Sequence, residues 1–226
     1  MTWAVERVPT LVPMRIARIT VDMHRAVPVE RLHVGAEIVR QGKRVQLVLA
    51  TITDDRGIEV ARATALRLRL GEGPPQTTDP RRPALVTPPF GPVRPRRAEP
   101  RNLNGFAAAL ETRDAGEAPG SGWYRVSAPI VAGEASSPTV RLAWASDFTA
   151  NSGNYLDHAH WSAINPDLTI HLARPPIGEW TCVATRNWYE RDGIGHARAD
   201  LFDVDGFVGT CTAAALVDEV PAPYFN

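Results

Sequence analysis

The sequence predicts an α+β protein built from two tandem copies of one β-rich module, and three observations carry that prediction. The end of the chain repeats its beginning: Thr20 answers to Thr169, Val21 to Ile170, Arg25 to Arg174, Asp54 to Asp203 and Gly57 to Gly206, all at one offset. After a single gap, Ala63-Thr64-Ala65 answers to Cys211-Thr212-Ala213. Each copy is dominated by long runs with strand-like alternation, and one amphipathic helix signature precedes the second set of runs.

The elements follow in order. Arg15 to His24 alternates, with Ile16, Ile19 and Val21 among polar partners. Leu32 to Val39, Arg44 to Thr53 and Ile58 to Leu70 continue as β-rich runs. Asp54-Asp55-Arg56-Gly57 has hairpin-turn composition, and Asp203-Val204-Asp205-Gly206 is its twin. Arg25 to Pro28 and Arg174 to Pro176 end the first strand of each meander, because proline cannot donate to a central ladder. Gly71 to Arg101 is rich in proline and arginine and reads as an extended linker. Its basic RPRRAEPR stretch is a solvated crossover on one reading and a contact for a ligand phosphate on the other.

Phe106 to Thr112 and Gly122 to Pro129 read as two more strands. Ser136-Ser137-Pro138 then opens a helix, since serine caps and proline suits the first helical position. Val140, Trp144 and Phe148 recur at i, i+4 and i+8 and form one apolar stripe. Cys182 and Cys211 fall on the first and third strands of the last meander. Two strand spacings separate such positions by roughly 9–10 Å, too far for a disulfide, so both are expected as buried thiols. The expected organisation is an N-terminal module over 1–70, a linker over 71–104, a C-terminal module over 105–218 and a tail over 219–226.

Composition excludes several classes of function. The 226 residues include 25 Lys plus Arg against 25 Asp plus Glu, so no strong field points to nucleic acid or a membrane surface. No apolar run approaches a membrane span and no charged-then-apolar leader opens the chain, so the expected location is the cytoplasm. There is no Gly-Xaa-Ser-Xaa-Gly elbow, no phosphate loop and no dinucleotide fingerprint. Asp157-His158-Ala159-His160 lacks a matching His or Cys cluster, so no metal and no cofactor are expected. Trp144, Trp161 and Trp180 are expected in the core or in a pocket wall.

These residues resemble a known family. INPDLTIHLARPPIGEW, GIGHARADLFDVDGFVGT and LAWASDF in the second copy, with ARITVDMHRAVP and GIEVARATALRLR in the first, resemble acyl-CoA thioesterases of the bacterial thioesterase II type and the related thioesterase-like proteins of actinobacteria. The resemblance implies a double hot-dog, in which curved antiparallel sheets wrap long helices. It also implies an acyl-CoA ligand. A homo-oligomer is compatible with the sequence. The first module looks incomplete by comparison, with Thr2 to Val8 resembling the last turns of its helix, and a start codon assigned too late is the favoured explanation.

The resemblance implies three site positions. A carboxylate at the end of the second helix holds or activates the attacking water, and Asp147 occupies that position. Its charge opposes the helix macrodipole, at roughly 0.3–1 kcal/mol, so local propensity does not ask for it. The alternative is a surface aspartate capping a turn. A hydroxyl residue precedes the first meander strand in the family; here Asn165 stands there, able to donate to a carbonyl or position a water, or simply forming a turn as Asn-Pro-Asp. Asn151 is a further candidate. The family's glutamine on the last strand aligns with Ala213, which has no side-chain donor. Two readings therefore stand: an acyl-CoA thioesterase, supported by Asp147, and a non-catalytic acyl-CoA or lipid-binding protein with a decayed site, supported by Ala213.

Overall fold

In the computed structural model, residues 1–27, 29–73, 109–116 and 120–220 are described. Helix α1 (Thr2–Arg7) leads into strands β1 (Met14–Met23), β2 (Leu32–Arg40), β3 (Val45–Asp54) and β4 (Glu59–Arg69). Strands β5 (Leu110–Asp114) and β6 (Ser121–Val126) follow. Helix α2 (Pro138–Ser146) and the single turn α3 (Thr149–Ser152) come next, then β7 (Trp161–Ile164), β8 (Asp167–Leu172), β9 (Thr181–Tyr189), β10 (Ile194–Asp203) and β11 (Gly206–Glu219). The expected linker falls almost wholly outside the described residues, as do Pro28, the first residues of the strand expected at Phe106 and the end of the tail. No helix of the described residues is long and apolar enough to cross a membrane.

All strands of the described residues join one 11-stranded antiparallel sheet in the order β2-β3-β4-β1-β8-β11-β10-β9-β6-β5, with β7 pairing the far end of β11. The two copies meet edge to edge at β1 and β8. There Thr20 pairs with Thr169, Ile19 with Ile170 and Val21 with Leu168. Thr20 and Thr169 are each other's counterparts in the sequence repeat, so a local twofold axis passes between them. The Thr169 hydroxyl donates to that of Thr20 at 3.3 Å across it.

The repeat extends to the irregularities. The β3–β4 ladder shifts register between Ile52 and Thr53, leaving Val60 bulged, and β10–β11 shifts between Leu201 and Phe202, leaving Val208 bulged. Both valines are buried, and their carbonyls accept from His24 and Ala173, again counterparts. The one-residue gap falls at the intervening hairpin, where Gly57 adopts φ +78° and Gly206 φ +111°. A third irregularity, between Ile16 and Arg18 in β1, explains why Ile16 and Ile19 are both buried although three residues apart.

The twin turns are held differently. Arg174 donates to Asp203 at 2.6 Å and also to the carbonyls of Phe207 and Gly206, while Asp203 accepts from the amide of Ile177. Its counterpart Asp54 is instead paired with Arg56 and the amides of Arg56 and Ile58, and Arg25 is exposed. The amide of Ile58, then the Arg56 side chain, holds the Asp54 carboxyl below its ordinary range.

The inner face of the sheet is lined by small residues, including Ala50, Ala63, Ala65, Ala197, Ala199 and Ala213, all buried. This lets the helices approach the strands closely. The Ser137 hydroxyl caps α2 by accepting from the amide of Val140 at 3.1 Å, with Pro138 in the first turn, as the Ser-Pro signature requires. Cys182 and Cys211 are separate buried thiols on β9 and β11. Burial pushes the Cys211 thiol up to about 12, so it is not a ready nucleophile. Trp161 departs from expectation. It is 40% exposed, because β7 is a short strand paired only with the end of β11.

Candidate functional site

Between α1, α2 and strands β1 and β8 lies an apolar cavity of about 390 Å³. Helix α2 contributes Val140, Ala143, Trp144 and Asp147, which follow i, i+3, i+4, i+7 spacing and so form one face. The expected stripe is thus partly a cavity wall. The buried residues of α2 are Val140, Leu142, Ala145 and Ser146, while Ala143 and Trp144 stay half-buried on the cavity side. Phe148 lies beyond the end of α2, stacked on Tyr124 with ring centroids 4.4 Å apart. The opposite walls are Ile19 and Val21 of β1, Leu168 and Ile170 of β8, and Trp3 of α1.

Among the described residues lining this cavity, Asp147 carries the one charged side chain. It occupies the C-cap of α2 with helical backbone, φ −64° and ψ −21°, where the chain turns into α3. It is exposed as well as cavity-lining, so it stands at the mouth. The side-chain amide of Asn165 donates to Asp147 Oδ1 at 3.0 Å. Asn165 is placed by the break between β7 and β8: these strands pair with successive stretches of β11, and Asn165-Pro166 turns the chain from one to the other. Asp167 secures that joint by accepting from the amide of Ala214 at 2.6 Å, and the carbonyl of Pro166 accepts from the amide of Met23 at 2.8 Å. Two of the expected site residues, distant in sequence, are thereby brought together.

The other two lie elsewhere. Asn151 is exposed on α3. Ala213 is 2% exposed and belongs to the main core cluster rather than to the cavity wall. It shares the inward face of β11 with Cys211, whose sulfur lies 3.8 Å from the carbonyl of Ser146, so it faces the α2–α3 region. Thr212 is on the other face. The Asp157–His160 contact is an exposed loop pair at 2.7 Å, and no group of metal-binding side chains occurs among the described residues.

One feature of the site was readable and was missed. Trp3-Ala4-Val5-Glu6 of α1 matches Trp144-Ala145-Ser146-Asp147 of α2. The match would have placed Trp3 on the cavity wall opposite Trp144, and Glu6 as the counterpart of Asp147. Glu6 accepts from the Ser137 hydroxyl at 2.8 Å and borders a separate hollow of about 290 Å³ with Arg15 and Arg67. Both guanidinium groups there already donate to backbone carbonyls. That hollow is mixed in character, with one carboxylate and two guanidinium groups beside Met14, Ile16 and Leu172, where the first is apolar.

Residues 70–217 match the acyl-CoA thioesterase C-terminal domain family, and residues 1–68 match the acyl-CoA thioesterase N-terminal domain family. This chain belongs to the acyl-CoA thioesterase family. Among solved structures it resembles the acyl-CoA thioesterase II TesB2 of Mycobacterium marinum at 17% identity, covering 99% of this chain and 87% of that one with a TM-score of 0.64. A hot-dog-fold protein of unknown function from Alicyclobacillus acidocaldarius shares 17% identity over 98% of this chain and 85% of that one, with a TM-score of 0.72. A protein assigned as a thioesterase II from Thermobifida fusca YX shares 20% identity over 95% and 82%, with a TM-score of 0.71. A search of curated proteins found no match. The fold is a double hot-dog, and the function is thioesterase-like.

Proposed function

We propose that this thioesterase-like chain is a cytoplasmic enzyme of fatty-acid metabolism that hydrolyses a fatty acyl-CoA thioester, with Asp147 as the base for the attacking water. The observation that carries the reading is a carboxylate at the mouth of an apolar cavity, oriented by the Asn165 amide. The cavity volume falls in the roughly 300–1,000 Å³ range of small-molecule sites. The acyl chain lies along Val140, Ala143 and Trp144, which places the thioester beside Asp147.

The chemistry follows from the side chains. A water held by Asp147 attacks the thioester carbonyl carbon and gives its proton to the carboxylate. The developing oxyanion requires donors. Asn165 spends one amide hydrogen on Asp147 and retains a second that can serve the oxyanion. Collapse of the tetrahedral adduct breaks the carbon–sulfur bond, and the departing thiolate takes up the proton. The products are a free fatty acid and a thiol.

The test is thiol release from acyl-CoA of graded chain length, followed with a thiol-reactive dye. Wild type should turn over, and Asp147→Asn should abolish most of the activity while leaving binding intact. Equal rates would exclude the role. A second reading, an acyl-CoA or lipid-binding protein with a decayed site, rests on Ala213, whose side chain has no donor where the family places glutamine. Saturable acyl-CoA binding with no thiol release would favour it.

A further inference from the structure

The hollow of about 290 Å³ beside Glu6 lies end to end with the acyl cavity, because the walls of one run on into the other. On β1 the cavity has Ile19 and the hollow Ile16, on β8 they have Ile170 and Leu172, and on α1 they have Trp3 and Glu6. Alternate strand residues share a face, as do helix residues three apart, and the bulge in β1 keeps Ile16 and Ile19 both buried. On α2, Thr139 of the hollow adjoins Val140 of the cavity, and Asp147 stands at the other end of the same helix. The helix rises about 12 Å from Thr139 to Asp147. An extended alkyl chain of about ten carbons covers that length, given bonds of about 1.5 Å. The hollow's walls begin with Glu6, in the last turn of α1, so they do not involve the chain's first residues.

The hollow carries more positive charge than negative: Arg15 and Arg67 line it, with Glu6 as its carboxylate. The oxygens to which the two guanidinium groups donate are carbonyl and amide oxygens, which cancel no charge. Arg67 is 7% exposed, its Nε–H is buried without an acceptor, and burial lowers its pKa from the ordinary guanidinium range. Glu6 offsets that only in part, and the Ser137 hydroxyl also draws on its carboxylate. The balance favours one further anion. The hollow is not a second hydrolytic centre. Glu6 is the counterpart of Asp147, but Ile16 stands at the offset of Asn165, so no amide orients the carboxylate there.

We infer that this hollow recognises a carboxylate at the far end of the acyl chain, so that the preferred substrate is the mono-CoA thioester of a dicarboxylic acid of about ten carbons. This deepens the hydrolase reading and rests on its placement of the acyl chain. With the thioester at Asp147 and the methylenes along Ala143 and Val140, the terminal carboxylate meets Arg67 and Arg15, and guanidinium groups bind carboxylates through paired N–H donors. An unsubstituted chain of that length brings a methyl group there instead, which offers the buried Arg67 nothing.

The experiment compares decanoyl-CoA with the mono-CoA thioester of decanedioic acid. Thiol release by wild type gives kcat/KM for each, and titration calorimetry on Asp147→Asn gives each Kd. The diacid thioester should be preferred by about tenfold or more in both measurements. Hexanoyl-CoA and the mono-CoA thioester of hexanedioic acid should show no such preference, because the shorter chain does not reach the hollow. Arg15→Gln and Arg67→Gln should each bring the ten-carbon ratio down toward one, and Arg67→Lys, which keeps the charge, should lower it less. Glu6→Gln should raise the ratio, since a competing carboxylate is gone while Ser137 keeps an acceptor; misfolding cannot produce that gain. Equal kcat/KM and equal Kd for the ten-carbon pair overturn the inference and leave hydrolysis standing. Tighter binding of the diacid thioester with no thiol release from either removes the hydrolase reading and keeps this one. A preference that neither Arg15→Gln nor Arg67→Gln lowers overturns the inference, as does failure of both thioesters to bind.

Discussion

The bond from Asn165 to Asp147 offers the sharpest test of the site, because it makes a prediction about coupling as well as rate. Asp147→Asn removes the base while nearly preserving shape. Loss of a positioned general base costs on the order of 10²–10⁴ in rate. Asn165→Ala removes the 3.0 Å donation to Oδ1. A hydrogen bond to a charged group contributes about 1.5–3 kcal/mol, and exposure of Asp147 at the cavity mouth places this one near the low end, about a tenfold loss in kcat. The part of the Asn165→Ala loss that acts through the carboxylate should vanish when Asp147 is already Asn, leaving only the loss of the second amide hydrogen at the oxyanion, so the two losses should be less than multiplicative. The assay is thiol release at saturating acyl-CoA, with KM measured in parallel. KM should change little, since the apolar walls are untouched. Independent, fully multiplicative losses would show that the two residues do not act as a unit, and would refute the reasoning.

Three further predictions follow from particular contacts. Ala213→Gln places an amide on the inward face of β11 in a packed core, so overpacking should cost about 1–3 kcal/mol in denaturant unfolding; because Ala213 does not line the cavity, thiol release per folded molecule should stay unchanged, and a gain would show that the position reaches the thioester after all. Arg174→Met leaves Asp203, 1% exposed, with amide donors but no cation, and should destabilise the protein by about 3–5 kcal/mol; a shift in urea midpoint corresponding to under about 1 kcal/mol would contradict this. The Asp54 carboxyl is held below its usual range when folded, so its stabilising contribution is present above the unfolded value of about 4 and is lost as pH falls through the folded one. Acid unfolding followed by fluorescence should therefore show a shallower decline below about pH 4 in Asp54→Asn than in wild type.

Much of the fold was legible because the relevant signals are local or periodic. The alternation of Val45 to Asp54, the Asp-Gly hairpins and the Ser-Pro cap each specify an element within a few residues. The internal repeat added information that single elements lack: counterparts in sequence predicted counterparts in space, and Thr20 and Thr169 prove to pair with each other. Less legible was what α2 faces. Periodicity shows that Val140 and Trp144 share a side, but a packed core and an apolar cavity ask for the same residue types. Equally hidden was that the helix stops short of Phe148, although the resemblance had already set Asp147 at its end.

By itself, then, the sequence determined the element order, the twofold organisation, the family resemblance and the identity of the one carboxylate worth testing. The tertiary structure decided which of the polar residues meet. Asn165 reaches Asp147 because β7 and β8 follow successive stretches of one partner strand and the chain turns between them, a consequence of long-range pairing. Ala213 and Asn151 are separated from that pair for the same kind of reason: one points inward from β11 into the core, the other outward from α3. Side-chain direction on a strand alternates residue by residue, so family position alone cannot say which groups converge. Register and the bulges at Ala17, Val60 and Val208 set that, and they are fixed only when all the strands are in place.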